Sequence, residues 1–363
     1  MLTPQLSAHA RAAGILAAEG PRGERTCHVL APRANHHAWH SPPRRPGTPN
    51  HPSGPHLLGL TRQNRRSKHM SSTQPEWCMN VCDPAGTFAS AADVEAAALY
   101  VLAQSNCGAI QRVCAGSYFC DQLFLSFPDE YFEALAAFCS ANGVAATLVL
   151  PIFAQRTWAA GTQRTDELLA RYVTLFDEVT VNDYATATRL APACRERGMA
   201  MNWGRLLSKP LRDPRHADLV ATWRTCELDA EEVAALRARF PLGLVEFDPF
   251  APSIDFSPLQ GVPFALHAPR SFATTGHICE AASAARATGE SFRPGAPCGH
   301  ECRSSFTLCR DAQSGSYYVK HGRTVYFENP NCQAIGAQPS RIIYSAADYR
   351  SQAGEQQEEW QWA

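Results

Sequence analysis

The 363-residue chain has no run of about 18 apolar residues that could cross a membrane as a helix, and no charged-then-apolar-then-small signal peptide opens it. A cytoplasmic setting is therefore the expectation. There is no GxGxxG after a strand and no GxxxxGK[ST], so the usual backbone cradles for dinucleotides and phosphates are missing. GxSxG and HExxH are absent too, and no Cys–His pairing stands out, so no peptidase nucleophile or zincin helix is signalled. Charge is modest, at 18% of residues against 45% hydrophobic, with a net charge of -1. That is an ordinary globular composition, with enough apolar material for one barrel-sized domain or two smaller ones.

What is present divides unevenly. Residues 1–70 hold ten Lys or Arg against two acids, together with eight of the thirteen histidines and nine of the twenty-six prolines. They lack a sustained apolar period, so they cannot bury enough surface to offset their ordering entropy. Residues 1–69 are expected to be a disordered or non-native extension, because Met70 followed by Ser71, Ser72 and Thr73 looks like a natural start. An Arg-rich, acid-poor leader also suits an organellar targeting peptide or a nucleic-acid-binding arm. Residues 70–350 are expected to form one α/β domain, and residues 351–363 a flexible tail.

From Pro75 onward, short aliphatic runs alternate with Ala/Leu-rich helical stretches. Helices are predicted at Ala91–Gln104, Pro128–Ala141, Asp166–Leu175, Ala185–Arg197 and Asp229–Arg239. Strands are predicted at Ala109–Val113, Val144–Leu150, Glu178–Val181, Met199–Asn202, Ala221–Thr225, Leu242–Phe247 and Pro263–His267. This βα alternation implies a parallel sheet, and without a nucleotide fingerprint a TIM-like (β/α) barrel is favoured over a doubly wound sheet. Beyond Phe272 the rhythm gives way to Gly, Pro, Ser and Cys. Ser316–Val319 and Thr324–Phe327, joined through Gly322, read as a β-hairpin attached after the last barrel strands.

Fourteen cysteines are many for a cytoplasmic protein, where a disulfide framework is not expected. Cys107, Cys114, Cys139, Cys194 and Cys226 fall in predicted helices or strands and read as small buried hydrophobes. Cys279, Cys298, Cys302, Cys309 and Cys332 instead lie in loop-like sequence, where a shared ligand explains them best. Gathering several thiolates around a cation removes the cost of unpaired buried charge. Four thiolates, or three with His300, would satisfy zinc, although Cys298 and Cys302 make the lone short-spaced pair where zinc knuckles usually come in two. A [4Fe–4S] cluster tolerates widely spread ligands, so both remain open.

Val181-Asn182-Asp183-Tyr184, Gly204-Arg205-Leu206-Leu207 with Arg212-Asp213-Pro214-Arg215, Thr274-Thr275-Gly276-His277-Ile278-Cys279, Cys298-x3-Cys302-Arg303 and Val325-Tyr326-Phe327-Glu328-Asn329 are short motifs along the chain. Together they resemble those of peptidase family U32. The resemblance spans roughly residues 105–335. It implies a TIM-barrel-like domain, often with a [4Fe–4S] cluster, in a family that includes collagenase-like peptidases by name, RNA hydroxylation factors, and paired oxygen-independent ubiquinone-hydroxylation factors. By position, Cys279, Cys298 and Cys302 match the family's cysteines. Cys332 is taken as the fourth ligand, with Cys120 or Cys309 as alternatives. His277 departs from the arginine common there, and the gap between Cys279 and Cys298 is longer than usual. The implied function is an oxygen-independent hydroxylation or related redox step on an aromatic small molecule, RNA or peptide, with a paired U32-like subunit as partner. The alternatives are a hydrolase with structural zinc and a non-catalytic binding partner.

Candidate catalytic residues lie at predicted strand ends, where βα loops build barrel active sites. His267 and Arg270 could polarise or anchor an anionic substrate. Glu246 and Asp248 could serve as acid and base on one face of an extended strand. Asn182 and Asp183, by contrast, read first as the cap of the helix near Ala185.

Overall fold

The computed structural model describes residues 74–82, 88, 90–105, 107–208, 228–249, 255–284, 286–287, 292, 298–303, 306–310, 317–328 and 338–347. The two terminal segments, the expected strand Ala221–Thr225, Cys226 and Cys332 lie outside them.

Seven strands follow one another around a ring: β1 (Glu76–Asn80), β2 (Arg112–Gly116), β3 (Ala145–Leu150), β4 (Phe176–Val181), β5 (Ala200–Trp203), β6 (Leu242–Phe247) and β7 (Phe264–Ala268). The chain then leaves the ring for a four-stranded antiparallel sheet of β8 (Arg270–Thr275), β9 (Phe306–Arg310), β10 (Tyr317–His321) and β11 (Thr324–Glu328), in the order β8-β11-β10-β9. It returns as β12 (Arg341–Ser345), which pairs in parallel with both β7 and β1 and closes an eight-stranded barrel. The fold is thus the expected TIM-like barrel, with two corrections. The expected hairpin is two strands of a larger sheet, and that sheet is an insertion between the seventh and eighth barrel strands rather than an appendage after the barrel.

Helices α1 (Ala91–Ser105), α2 (Asp121–Ser126), α3 (Asp129–Asn142), α4 (Trp158–Arg171), α5 (Tyr184–Arg197), α6 (Ala230–Arg239) and the short α7 (Glu280–Ala284) fill the connections. In α3, Tyr131, Phe132, Leu135, Phe138 and Cys139 recur at three- and four-residue spacing and are all buried. Each fully buried Phe or Leu of this kind contributes roughly 1.5–3 kcal/mol. The helix stops at Gly143, whose left-handed φ of 66° suits the residue just past a helix end. At the start of α5 the Asp183 carboxylate accepts from the Thr186 amide at 2.8 Å, the expected cap. Asn182 ties two rim loops together, donating to the Leu150 carbonyl and accepting from the Leu206 amide.

Two features position the site. The end of β2 turns at Gly116, with φ +120°, where a Cβ would lie 2.2 Å from the Val149 carbonyl oxygen. Only glycine fits there, and the turn sends Tyr118, Phe119 and Cys120 over the barrel mouth. A second apolar cluster then runs from Cys78, Cys114 and Ile343 in the barrel through Tyr118, Phe119 and Leu206 to Phe272, Val319 and Tyr326 of the inserted sheet. The insertion is therefore packed onto the C-terminal mouth, the end where barrels of this kind carry their sites. Among the described residues no helix is long and apolar enough to cross a membrane.

Candidate functional site

Cys120, Cys279, Cys298 and Cys302 line one cavity between the start of α2 and the inserted sheet, with Cys82 on the same wall. Its volume is about 60 Å³, against the roughly 10–15 Å³ that one water molecule requires. Cys120 immediately precedes α2, where its amide donates to Ser117 Oγ at 3.1 Å. Cys279 immediately precedes α7, and its carbonyl accepts from the Ser283 amide and hydroxyl at 3.0 and 2.7 Å. Cys298 and Cys302 flank a tight bend with His300 at φ 61°, where the His300 amide points at Cys298 Sγ from 3.3 Å. Cys302 is buried, and Cys120, Cys279 and Cys298 are half-buried.

Cys120, Cys298 and Cys302 are all harder to ionise than a free thiol. Burial pushes Cys302 up to about 12, and the proximity of Cys120, Cys279 and Cys298 pushes the same way. Cys298 is raised first by burial and then by Cys120, Cys279 and Glu301, against the His300 amide, which lowers it. Cys120 is raised by burial in spite of the Arg323 guanidinium, which opposes it. A cationic group inserted among them would remove that mutual repulsion. Among the described residues no three His, Cys, Asp or Glu side chains come together as closely as a single metal ion requires. Arg156, Arg286 and Arg323 share the wall with one carboxylate, Asp121, so the lining carries an excess of positive charge.

A cleft of about 350 Å³ adjoins the cavity and shares Phe119, His277 and Arg323 with it. Ile152, Leu206 and Phe272 give it an apolar floor. Its size is that of a small-molecule site.

Three of the four expected catalytic residues fall in two buried pairs, His267 with Glu246 and Asp248 with Arg205. His267 Nε2 lies 3.0 Å from Glu246 Oε2, and Thr180 donates to the other oxygen of Glu246 at 2.7 Å. Burial and then the Arg205 charge hold His267 below the ordinary histidine pKa, against the pull of Glu246, so the contact is a hydrogen bond to a neutral ring. Arg205 makes a two-point pair with Asp248 and sits 5.1–5.5 Å below the rings of Phe272, Phe119 and Tyr118. Asp248 also accepts from the Phe272 amide at 3.1 Å, which anchors the insertion to the barrel. Arg270 donates to the Ala347 carbonyl. None of His267, Arg270, Glu246 and Asp248 lines the cysteine cavity or the cleft. Cys309 lies on β9.

Sequence reasoning did not single out Tyr118, Asp121 or Arg323. The Tyr118 hydroxyl is buried and has no hydrogen-bond partner among the described residues, and its ring meets His267 edge-on at 5.1 Å. Nothing local marks these residues, since their partners lie far along the chain. The chain matches no known protein-family profile, and no curated protein matches it.

Proposed function

We propose that the chain is an iron–sulfur protein in which Cys120, Cys279, Cys298 and Cys302 hold a [4Fe–4S] cluster serving an oxygen-independent hydroxylation or related redox reaction. The observation that carries the reading is the meeting of four thiols from three distant segments around one cavity. Cysteines from three segments that line one cavity can each bind a separate iron atom of a polynuclear cluster, whereas a zinc ion needs all its donors within about 2.3 Å of one point. The positively charged wall fits as well, because four thiolates leave such a cluster with net negative charge. Cys120 takes the role expected of Cys332, which lies outside the described residues. The resemblance to peptidase family U32 supports the same chemistry and suggests a paired subunit of that family as partner.

The bound cluster would supply one-electron transfer. The protein's own part is to exclude water and present a reactant beside it. The adjoining cleft offers the place, with Phe119 as the partition between reactant and thiols. Its apolar floor suits a reactant with an apolar body.

The test is the full chain purified without oxygen, with iron, sulfide and zinc measured per chain for the wild type and for Cys120→Ala and Cys298→Ala. About four irons and four sulfides, lost in both variants, is the expected result. Zinc near one per chain without sulfide would overturn it and return the hydrolase with a structural metal to first place.

A further inference from the structure

Three of the four proposed ligands, Cys279, Cys298 and Cys302, belong to the insertion, whereas Cys120 belongs to the barrel, so something must hold the two parts in register. We infer that Arg323, in the β10–β11 turn, is the positioning residue that fixes Cys120 against the other three, an assignment that rests on the iron–sulfur reading above.

Arg323 grips both neighbours of Cys120. One guanidinium nitrogen donates to the carbonyl oxygen of Phe119, across 204 residues of chain, and another lies 3.6 Å from the carboxylate of Asp121. Asp121 is itself held by the Thr157 hydroxyl at 2.6 Å and the Ala154 amide at 3.2 Å, so the grip closes on a rigid part of the barrel. The main chain of Arg323 is fixed just as firmly at the other side. Its carbonyl accepts from the Gly276 amide at 3.1 Å and the Thr275 hydroxyl at 3.4 Å, three and four residues before Cys279.

The rest of the turn reaches Cys302. His321 donates from Nε2 to the Cys302 carbonyl. Gly322 has φ +60°, and a Cβ there would stand 3.4 Å from Cys302 Cβ, so the backbone rests directly on that cysteine. Three consecutive residues thus touch Cys302, the approach to Cys279, and both sides of Cys120. Arg303 and His300 also reach α2, through the Ser126 carbonyl and hydroxyl and the Gln122 carbonyl, but both contacts lie further along α2 than Cys120. A tie at Phe119 and Asp121 acts on the thiol's own backbone, where a small error in placement is most damaging to a ligand.

The experiment compares wild type, Arg323→Gln and Arg323→Lys as full chains. The first readout is the rate of iron loss to a chelator under anaerobic conditions. The second is the alkylation rate of Cys120 relative to Cys279 in metal-free protein, read by mass spectrometry. Arg323→Gln is expected to release iron roughly 10- to 100-fold faster, the usual effect of removing a group that orients a ligand. Its Cys120 should be alkylated several-fold faster than in the wild type, and Arg323→Lys should fall between. Wild-type iron loss and alkylation in Arg323→Gln would overturn the assignment, as would a drop in melting temperature with both rates unchanged, since that marks a purely structural ion pair. If Arg323→Gln does not fold, Arg323→Lys decides on the same two rates. Wild-type protein without iron and sulfide would sink the iron–sulfur reading alone, and the alkylation rates would still test whether Arg323 positions Cys120.

Discussion

Arg341 and Glu178 meet inside the barrel in a two-point ion pair, at 2.8 and 3.0 Å, although they stand on β12 and β4. Arg341 also donates to Glu76 at 2.6 Å, and Arg112 joins Glu76 at 3.0 Å and Asp177 at 2.6 Å. Two arginines and three acids from four strands therefore form one network near the N-terminal ends of the strands, opposite the mouth that carries the cysteines. Removing one member leaves its partner's charge buried and unmatched. Glu178→Gln is expected to cost on the order of 3–5 kcal/mol in urea unfolding. A loss under about 1 kcal/mol would show that the network is solvated enough to be dispensable.

The same glutamate predicts an acid limit. Burial alone would raise the Glu178 pKa, but Arg341 and Arg112 outweigh it and hold it at about 2. The unfolded chain therefore binds this proton at a higher pH than the folded one. The contribution to stability is complete above about pH 4.5 and is lost as pH falls towards the folded value. Melting temperature should drop across that window in the wild type and less steeply in Glu178→Gln. Equal slopes would remove Glu178 from the account.

His267 sets a second, milder dependence. Its folded pKa lies below the ordinary value, so the unfolded state gains a proton first as pH falls through about 6.5. Its contribution to stability is complete above that pH and declines below it. Unfolding free energies at pH 7.5 and 5.5 should differ less in His267→Gln than in the wild type. Nitrogen-15 shifts of the ring in the folded protein should titrate with a midpoint below 6.5, and a midpoint at or above that value would refute the reading.

Gly116 is expected to tolerate no side chain. A methyl group there meets the Val149 carbonyl at 2.2 Å in a backbone region L residues avoid, so Gly116→Ala should lose at least ~1–3 kcal/mol. Because the turn aims Phe119 and Cys120, the variant should also hold iron less firmly. Wild-type stability would mean that β2 ends differently from the description above.

Most of the barrel could be read from the chain. The strands predicted at 144–150, 178–181, 199–202, 242–247 and 263–267 overlap β3 to β7, and 242–247 coincides with β6. They are buried aliphatic runs between amphipathic helices, a pattern set by local spacing. Both strands that close the ring were missed. Glu76–Asn80 and Arg341–Ser345 place charged residues inside the barrel, and each is held between two partners, the first between β12 and β2 and the second between β7 and β1. Arg270–Thr275 was likewise read as loop, because it pairs with a strand some fifty residues on.

The cysteines divide in the same way. Cys279, Cys298 and Cys302 stood out because they lie in loop sequence without apolar periodicity. Cys120 sits beside Tyr118, Phe119 and Leu123, away from the cysteine-rich segment, and enters the sequence reading only through the family resemblance, as an alternative to Cys332. The sequence by itself determined the βα alternation and the supply of thiols, because these depend on residue type and short-range spacing. Only the tertiary structure decided that the cysteine-rich segment is inserted before the closing strand, that Cys120 faces it, and that Arg323 joins the two. Those meetings arise when a closed ring of eight strands brings distant strand ends to one mouth, and no local pattern records which residues will face each other there.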